Sequence, residues 1–172
     1  MFKKWYVKII IVILLALALI WLGKLFYYYQ QQRTIELVNR ELQFSGIKIM
    51  MDMEDIQNIS HDYIMNSIID GYHVNFKNID LIAYIFALSN EKSRCYKKVV
   101  TIMTRNEEHQ LFGFNRNTPL EKKIEILKKH GFRYKEIGSM NYFARYGVNI
   151  RVDSPSEIII YVDNPDNYMG GW

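Results

Sequence analysis

A single cysteine stands among the 172 residues, Cys95, so the chain can form no internal disulfide. A domain that lives outside the cytoplasm without disulfides is compatible with that count. Also missing is a basic surface. The chain carries 22 Lys+Arg against 18 Asp+Glu, a formal charge of +4 and a pI near 9.0. Four of the lysines, Lys3, Lys4, Lys8 and Lys24, fall in the first 24 residues. Without them the remainder is balanced, since 22 − 4 = 18 basic residues face 18 acidic ones. A neutral body argues against nucleic acid as a partner, because binding phosphates needs a clustered basic face that releases counterions.

Catalytic and metal-binding signatures are missing as well. His61, His73, His109 and His130 stand in no metal-ligand spacing with one another or with Cys95. Glu107-Glu108-His109 is the densest titratable cluster and reads as a polar loop. His130 is accounted for by the end of a helix, where a cation meets the negative end of the dipole. Asp52, Glu54 and Asp55 suit the start of another helix. There is no phosphate-binding loop, dinucleotide fingerprint or nucleophile elbow. The sequence therefore implies no cofactor, no metal and no catalysis.

One long apolar run is present. Ile9 to Leu22 is unbroken, and Trp5–Val7 and Leu25-Phe26 extend it. The 22 residues from Trp5 to Phe26 make roughly 33 Å of helix, against the ~30 Å of a bilayer's hydrocarbon core. Lys8 and Lys24 sit where long cationic chains snorkel to headgroups. Trp5, Tyr6, Trp21 and Tyr27-Tyr28-Tyr29 fit the interfacial aromatic belts. Ala16-Leu17-Ala18 has the small-x-small pattern of a cleavable signal, but Leu19-Ile20-Trp21-Leu22 carry the apolar run past it. Residues 1–29 are thus read as an uncleaved single-pass anchor. Lys3, Lys4 and Lys8 place the N-terminus in the cytoplasm and the rest outside. The richness in Ile, Asn, Lys and Tyr suits an AT-rich genome and a low-GC bacterial envelope.

After the anchor, Ile35, Val38 and Leu42 recur at helical spacing, with Glu36 and Arg40 four apart on the polar side. Residues 30–44 read as a stalk helix, too short in heptads for a coiled coil. Thr118-Pro119-Leu120-Glu121 predicts a capping box opening a helix whose buried stripe is Leu120, Ile124 and Leu127, with Lys122 and Lys123 on the wet side and Gly131-Phe132 as its C-terminal stop. The period then changes to two: strands are predicted at Asn141–Tyr146, Asn149–Asp153 and Glu157–Val162, with a turn at Asp153-Ser154-Pro155-Ser156.

The first half has similar grammar. Gly46-Ile47 precedes Met53, Glu54 and Ile56, as Gly113-Phe114 precedes Leu120, Glu121 and Ile124, an offset of 113 − 46 = 67. Met53, Ile56, Ile59 and Ile64 predict a helix reaching as far as Ile68–Gly71. Strands follow at Tyr72–Phe76, Leu81–Leu88 and Tyr96–Thr104. The fold class expected is α+β: two α-β-β-β units, 45–106 and 112–164, with helices on one face of an antiparallel sheet and a loose tail over 165–172. One such unit alone buries too little surface to be stable.

Gly113-Phe114, Thr118 to Leu127, His130-Gly131-Phe132 and the strands around Val152 and Ile160 together resemble the β-lactamase-inhibitor-like domains. That superfamily includes secreted enzyme inhibitors, a small outer-membrane assembly lipoprotein and membrane-anchored bacterial domains. The resemblance implies a helix layer over one sheet face, a second face open to a protein partner, and no catalytic residues. On the period-two pattern, Ile150, Val152, Ile158, Ile160 and Val162 face the helix. Asn149, Arg151, Asp153, Ile159, Tyr161 and Asp163 face away, joined by Phe143 and Arg145 if Tyr142, Ala144 and Tyr146 point inward. Phe143, Arg145, Asn149, Arg151, Ile159 and Tyr161 are therefore the candidate binding residues, since aromatics mixed with Arg favour interface cores. The function expected is an extracytoplasmic protein-binding module: an inhibitor, an immunity factor or an assembly factor. The alternatives are a cell-wall or carbohydrate-binding module, whose rings stack on sugars, and a hydrolase with a dispersed site.

Overall fold

The computed structural model describes residues 2–59, 62–87, 91–153 and 156–163. His61, the turn at Ser154-Pro155, the end of the predicted strand at Leu88 and the tail over 165–172 lie outside them.

A 40-residue helix, α1 (Phe2–Glu41), opens the chain. Its first part is long and apolar enough to cross a membrane, with a mean hydropathy of 2.8 over the best window and no part of that window buried. The character changes at Tyr27. Gln31, Thr34, Ile35 and Val38 are buried, at spacings of three and four, so the second part of the same helix lies against the folded domain. Asn39 ties it further: its side chain accepts from Ile49 N–H at 2.9 Å and donates to Ile49 O at 2.8 Å.

Two short strands, β1 (Leu42–Gln43) and β6 (Gln110–Leu111), pair antiparallel, Gln43 opposite Gln110. Each runs into a doublet of left-handed residues, Ser45-Gly46 (φ 53° and 88°) and Phe112-Gly113 (φ 51° and 77°). The other strands form one antiparallel sheet of eight: β2 (Ile64–Ile68), β3 (Gly71–Phe76), β4 (Leu81–Phe86), β5 (Lys98–Thr104), then β10 (Glu157–Val162), β9 (Val148–Asp153), β8 (Met140–Arg145) and β7 (Arg133–Ile137), in that spatial order. Two four-stranded meanders thus meet along β5 and β10, with Ile102 opposite Ile160.

The architecture is α+β, and it corrects the expectation at three places. Each half has four strands, not three. The region read as a helix from Met53 to Gly71 is one helical turn, α2 (Met53–Ile56), and then the edge strand β2. Ile64 and Ile68 are four apart, a spacing that fits a helix face and a strand face alike. The opposite edge strand, β7, was not anticipated, because Tyr134 alone of its five residues is turned away from solvent.

The third correction concerns α3 (Leu120–Lys129). Its C-terminus is as predicted: Phe132 N–H reaches Leu127 O at 3.0 Å and Gly131 N–H reaches Lys128 O at 2.9 Å, with Gly131 at φ +79°. Its N-terminus carries no capping box. Thr118 turns back instead, its hydroxyl donating to Asn115 Oδ1 at 3.2 Å and accepting from Asn115 N–H at 3.1 Å. Lys123, expected in water, is fully buried, and its ammonium donates to Arg116 O at 2.7 Å. Position 123 is three past Leu120 and four before Leu127, so its stem belongs to the buried face.

One core gathers Ile35 and Val38 of α1, Leu127 of α3, Phe44, Ile47 and Ile49 of the intervening segment, and the inward residues of the sheet. Burial alternates along β4 and β10, as period two requires. A bulge opposite Tyr84/Ile85 inserts Val100 into β5, so that Val99 and Ile102, three apart, both stay inside.

Candidate binding face

Cross-strand register sorts the six candidate residues. Asn149 stands opposite Tyr161, Arg151 opposite Ile159, and Tyr142 opposite Arg151. Residues directly opposite share a face, so Asn149, Arg151, Ile159 and Tyr161 lie together on the outer face, with Tyr142. All five are half-buried. Phe143 and Arg145 do not join them. Phe143 is opposite Ile150 and fully buried, and Arg145 is opposite Val148. Tyr142 points outward, and that decides the register of β8. Arg145 reaches across the inner side, where its guanidinium donates to His130 O at the end of α3.

The outer face continues across the seam into the first half. Ile159 is opposite Met103 and Tyr161 opposite Thr101. Met103 is opposite Ile82 and Thr101 opposite Tyr84. His73 meets Tyr84 edge to face, with 5.6 Å between centroids. Sequence reasoning missed Ile82, Tyr84 and Met103. The signal was weak there, because β4 reads Leu-Ile-Ala-Tyr-Ile-Phe and carries no polar residue to mark its outer side.

Ion pairs and a carboxylate–amide bond cross the second half of the face. Glu157 accepts from Arg151 at 2.5 Å and from Arg105 at 3.3 Å, bridging β9, β10 and the end of β5. Asn149 donates to Asp163 Oδ1 at 2.9 Å. Desolvation raises the Asp163 carboxyl above its ordinary 3.8, although the Asn149 bond opposes the shift. Burial, then the nearby Asp163 and Tyr142, push the Tyr161 phenol up, against Arg151. The Tyr84 phenol is pushed above its ordinary range by burial first and then by Asp70. The Tyr84 hydroxyl has no hydrogen-bond partner among the described residues, so we read Asp70 as acting through its charge. All these phenols are neutral at physiological pH, and the face offers rings, methyls and hydroxyls rather than net charge.

His109, placed in a polar loop by the sequence, is 3% exposed. Its Nδ1 lies 2.6 Å from Thr104 Oγ1, its Nε2 2.9 Å from Ser45 Oγ, and its ring stacks on Phe44 at 5.1 Å. A substrate atom could not reach this imidazole. The chain Ser45–His109–Thr104 fixes the end of β5 to the left-handed turn after β1. Cys95 is likewise buried.

No family model matches this chain, and comparison with curated proteins and with solved structures returns no match either.

Proposed function

We propose that the chain is a single-pass membrane protein whose domain stands outside a bacterial cell and binds another protein through the outer face of the sheet. It acts as an inhibitor, an immunity factor or an assembly factor, without chemistry of its own. One observation carries this reading: the half-buried apolar and aromatic residues Ile82, Tyr84, Met103, Ile159 and Tyr161 run side by side from β4 to β10 across the seam between the halves, with Tyr142 beyond Asn149 and Arg151 of β9. Eight strands at ~4.8 Å spacing and ~20 Å length give roughly 700 Å², near the ~800 Å² that one partner contributes to a standard interface. Lys3 and Lys4 ahead of the span, and Lys8 near its start, support the orientation. Anchoring raises the effective concentration against any partner in the same membrane.

The resemblance to β-lactamase-inhibitor-like domains supports a helix layer on one face and a binding sheet on the other. The two meanders joined at β5 and β10, and the matched left-handed doublets 67 residues apart (113 − 46), support an internal duplication of an α-β-β-β-β unit.

The test is site-specific photo-crosslinking in membranes from position 161 or 82, with position 122 on the exposed side of α3 as control. A defined protein captured from 161 and 82 but not 122, binding the purified chain one-to-one and lost in I159D, supports the proposal. Equal capture from all three positions removes it. A second reading rests on Tyr84, Tyr142 and Tyr161, whose rings share the face and could stack on sugars. Co-sedimentation with purified wall polymer, lost in Y161A, would favour it.

A further inference from the structure

Beside the stripe that α1 buries lies another that it does not. Gln30, Arg33, Leu37 and Arg40 follow at steps of three and four and line a cavity of about 490 Å³, together with Glu36 and with Arg145 from β8. Three arginines and one glutamate line it, a net charge of 3 − 1 = +2. The volume falls in the range of small-ligand sites, roughly 300–1,000 Å³.

The arginines are held without being strongly committed to acids. Arg145 is fixed by its bond to His130 O. Arg33 lies over the Tyr29 ring, 5.7 Å from its centroid. Arg40 pairs with its neighbour Glu41 at 3.1 Å, but its side chain is 71% exposed, and such pairs contribute little. Planar forks of this kind recognise phosphate oxygens two at a time.

The depth of the cleft matters equally. Arg33 is seven residues beyond Phe26, or about 10 Å along the axis. Long helical side chains lean toward the N-terminus, and the place of Arg33 over Tyr29 shows that it does. The headgroup layer occupies about 5–7 Å beyond the hydrocarbon core. If the apolar part of α1 spans the membrane, the Gln30–Arg33 end of the cleft lies at the depth of the headgroups, and Arg40 stands about 10 Å farther out.

We infer that this cleft binds a phosphate group, held by Arg33, Arg40 and Arg145, with Leu37 and Gln30 against whatever the phosphate carries. An anionic phospholipid headgroup and a soluble phosphate compound share this chemistry. The lipid source rests on the membrane-spanning reading of α1, whereas the phosphate site itself does not.

The full chain in an uncharged maltoside detergent is titrated by calorimetry with dioctanoyl phosphatidylglycerol, dioctanoyl phosphatidylcholine and inorganic phosphate. R33Q and R40Q are the variants, because both side chains leave the core intact, and K122Q is the control; melting curves establish that all are folded. Saturable one-to-one binding of the phosphatidylglycerol, absent for the phosphatidylcholine, should weaken about tenfold in each Arg variant, the size of one charge-assisted bond, and be unchanged in K122Q. Inorganic phosphate binding with the same Arg dependence, without lipid binding, keeps the site and assigns it to a soluble anion. Binding of neither, or binding indifferent to R33Q and R40Q, overturns the inference. Carbonate extraction of the full chain from membranes tests the span separately, so failure of one is not read as failure of the other.

Discussion

The Tyr27 ring of α1 meets the Tyr146 ring of the β8–β9 turn edge to face, with 6.2 Å between centroids and 71° between planes. Next to this contact, Gly147 (φ +71°) is closely approached: a Cβ there would stand 2.6 Å from Gln31 Nε2 and 2.7 Å from the Tyr27 hydroxyl, so the ends of both side chains would have to shift. Gln31 also donates to Asp163 O at 3.2 Å. The end of the apolar span is therefore fastened to one end of the sheet. Gly147→Ala should cost about 1–2 kcal/mol, chiefly through the positive φ, with displacement of the Gln31 and Tyr27 side-chain ends. A lowered melting temperature in detergent, with new protease cleavage near Tyr27, is the expected result. An unchanged melting curve would show that the helix does not need this close approach.

Lys123 and Lys122 are neighbours in sequence with opposite surroundings. Lys123→Glu should destabilise by about 2 kcal/mol or more, because a buried carboxylate would face Arg116 O in place of an ammonium. Lys122→Glu should stay within about 0.5 kcal/mol. Chemical or thermal unfolding of the pair decides it, and equal effects would return Lys123 to the solvent side.

Ile160 and Tyr161 separate the two faces of β10. Ile160→Ala should cost about 2–4 kcal/mol, and Phe143→Ala about 3–5 kcal/mol, since both are fully buried. Tyr161→Ala should cost much less, being half-exposed, and should instead weaken partner capture. Stability and capture measured on the same three variants would show the split. A Phe143 variant that folds normally but loses the partner would contradict the register of β8.

The raised Asp163 pKa gives a pH dependence of known sign. The folded state keeps its proton to higher pH than the unfolded one, whose value is near 3.8. The contribution to stability is thus full below that value and lost as pH rises through the folded pKa. Melting temperatures between pH 3.5 and 6 should fall less steeply in Asp163→Asn than in the parent chain. The effect is small, because the residue as a whole is exposed. Identical slopes would show that the carboxyl is no less solvated folded than unfolded.

Much of the fold was legible wherever one physical period dominated. The 22-residue apolar run, the stripe of α3 with its glycine stop, and the alternation of Glu157–Val162 each satisfy a single local rule. The edge strands were not legible. Strand β2 has isoleucines at a spacing that helix and strand share, and β7 turns only Tyr134 inward. The outer face was half legible: Asn149, Arg151, Ile159 and Tyr161 follow from alternation within two strands, but Phe143 and Arg145 needed the register of a third.

The sequence by itself therefore determined what short-range physics can fix: a helix able to span a membrane, an α+β domain, the main helix end, and inside against outside along the two best-patterned strands. Tertiary structure decided the rest. It set the pairing of β5 with β10, which joins Tyr84 and Met103 to Tyr161 and Ile159. It buried Lys123 and His109, and it brought Arg145 beside Arg33 and Arg40. Each of these depends on groups distant in sequence meeting in one place. Such meetings are selected by the burial of the whole core, and no local period records them.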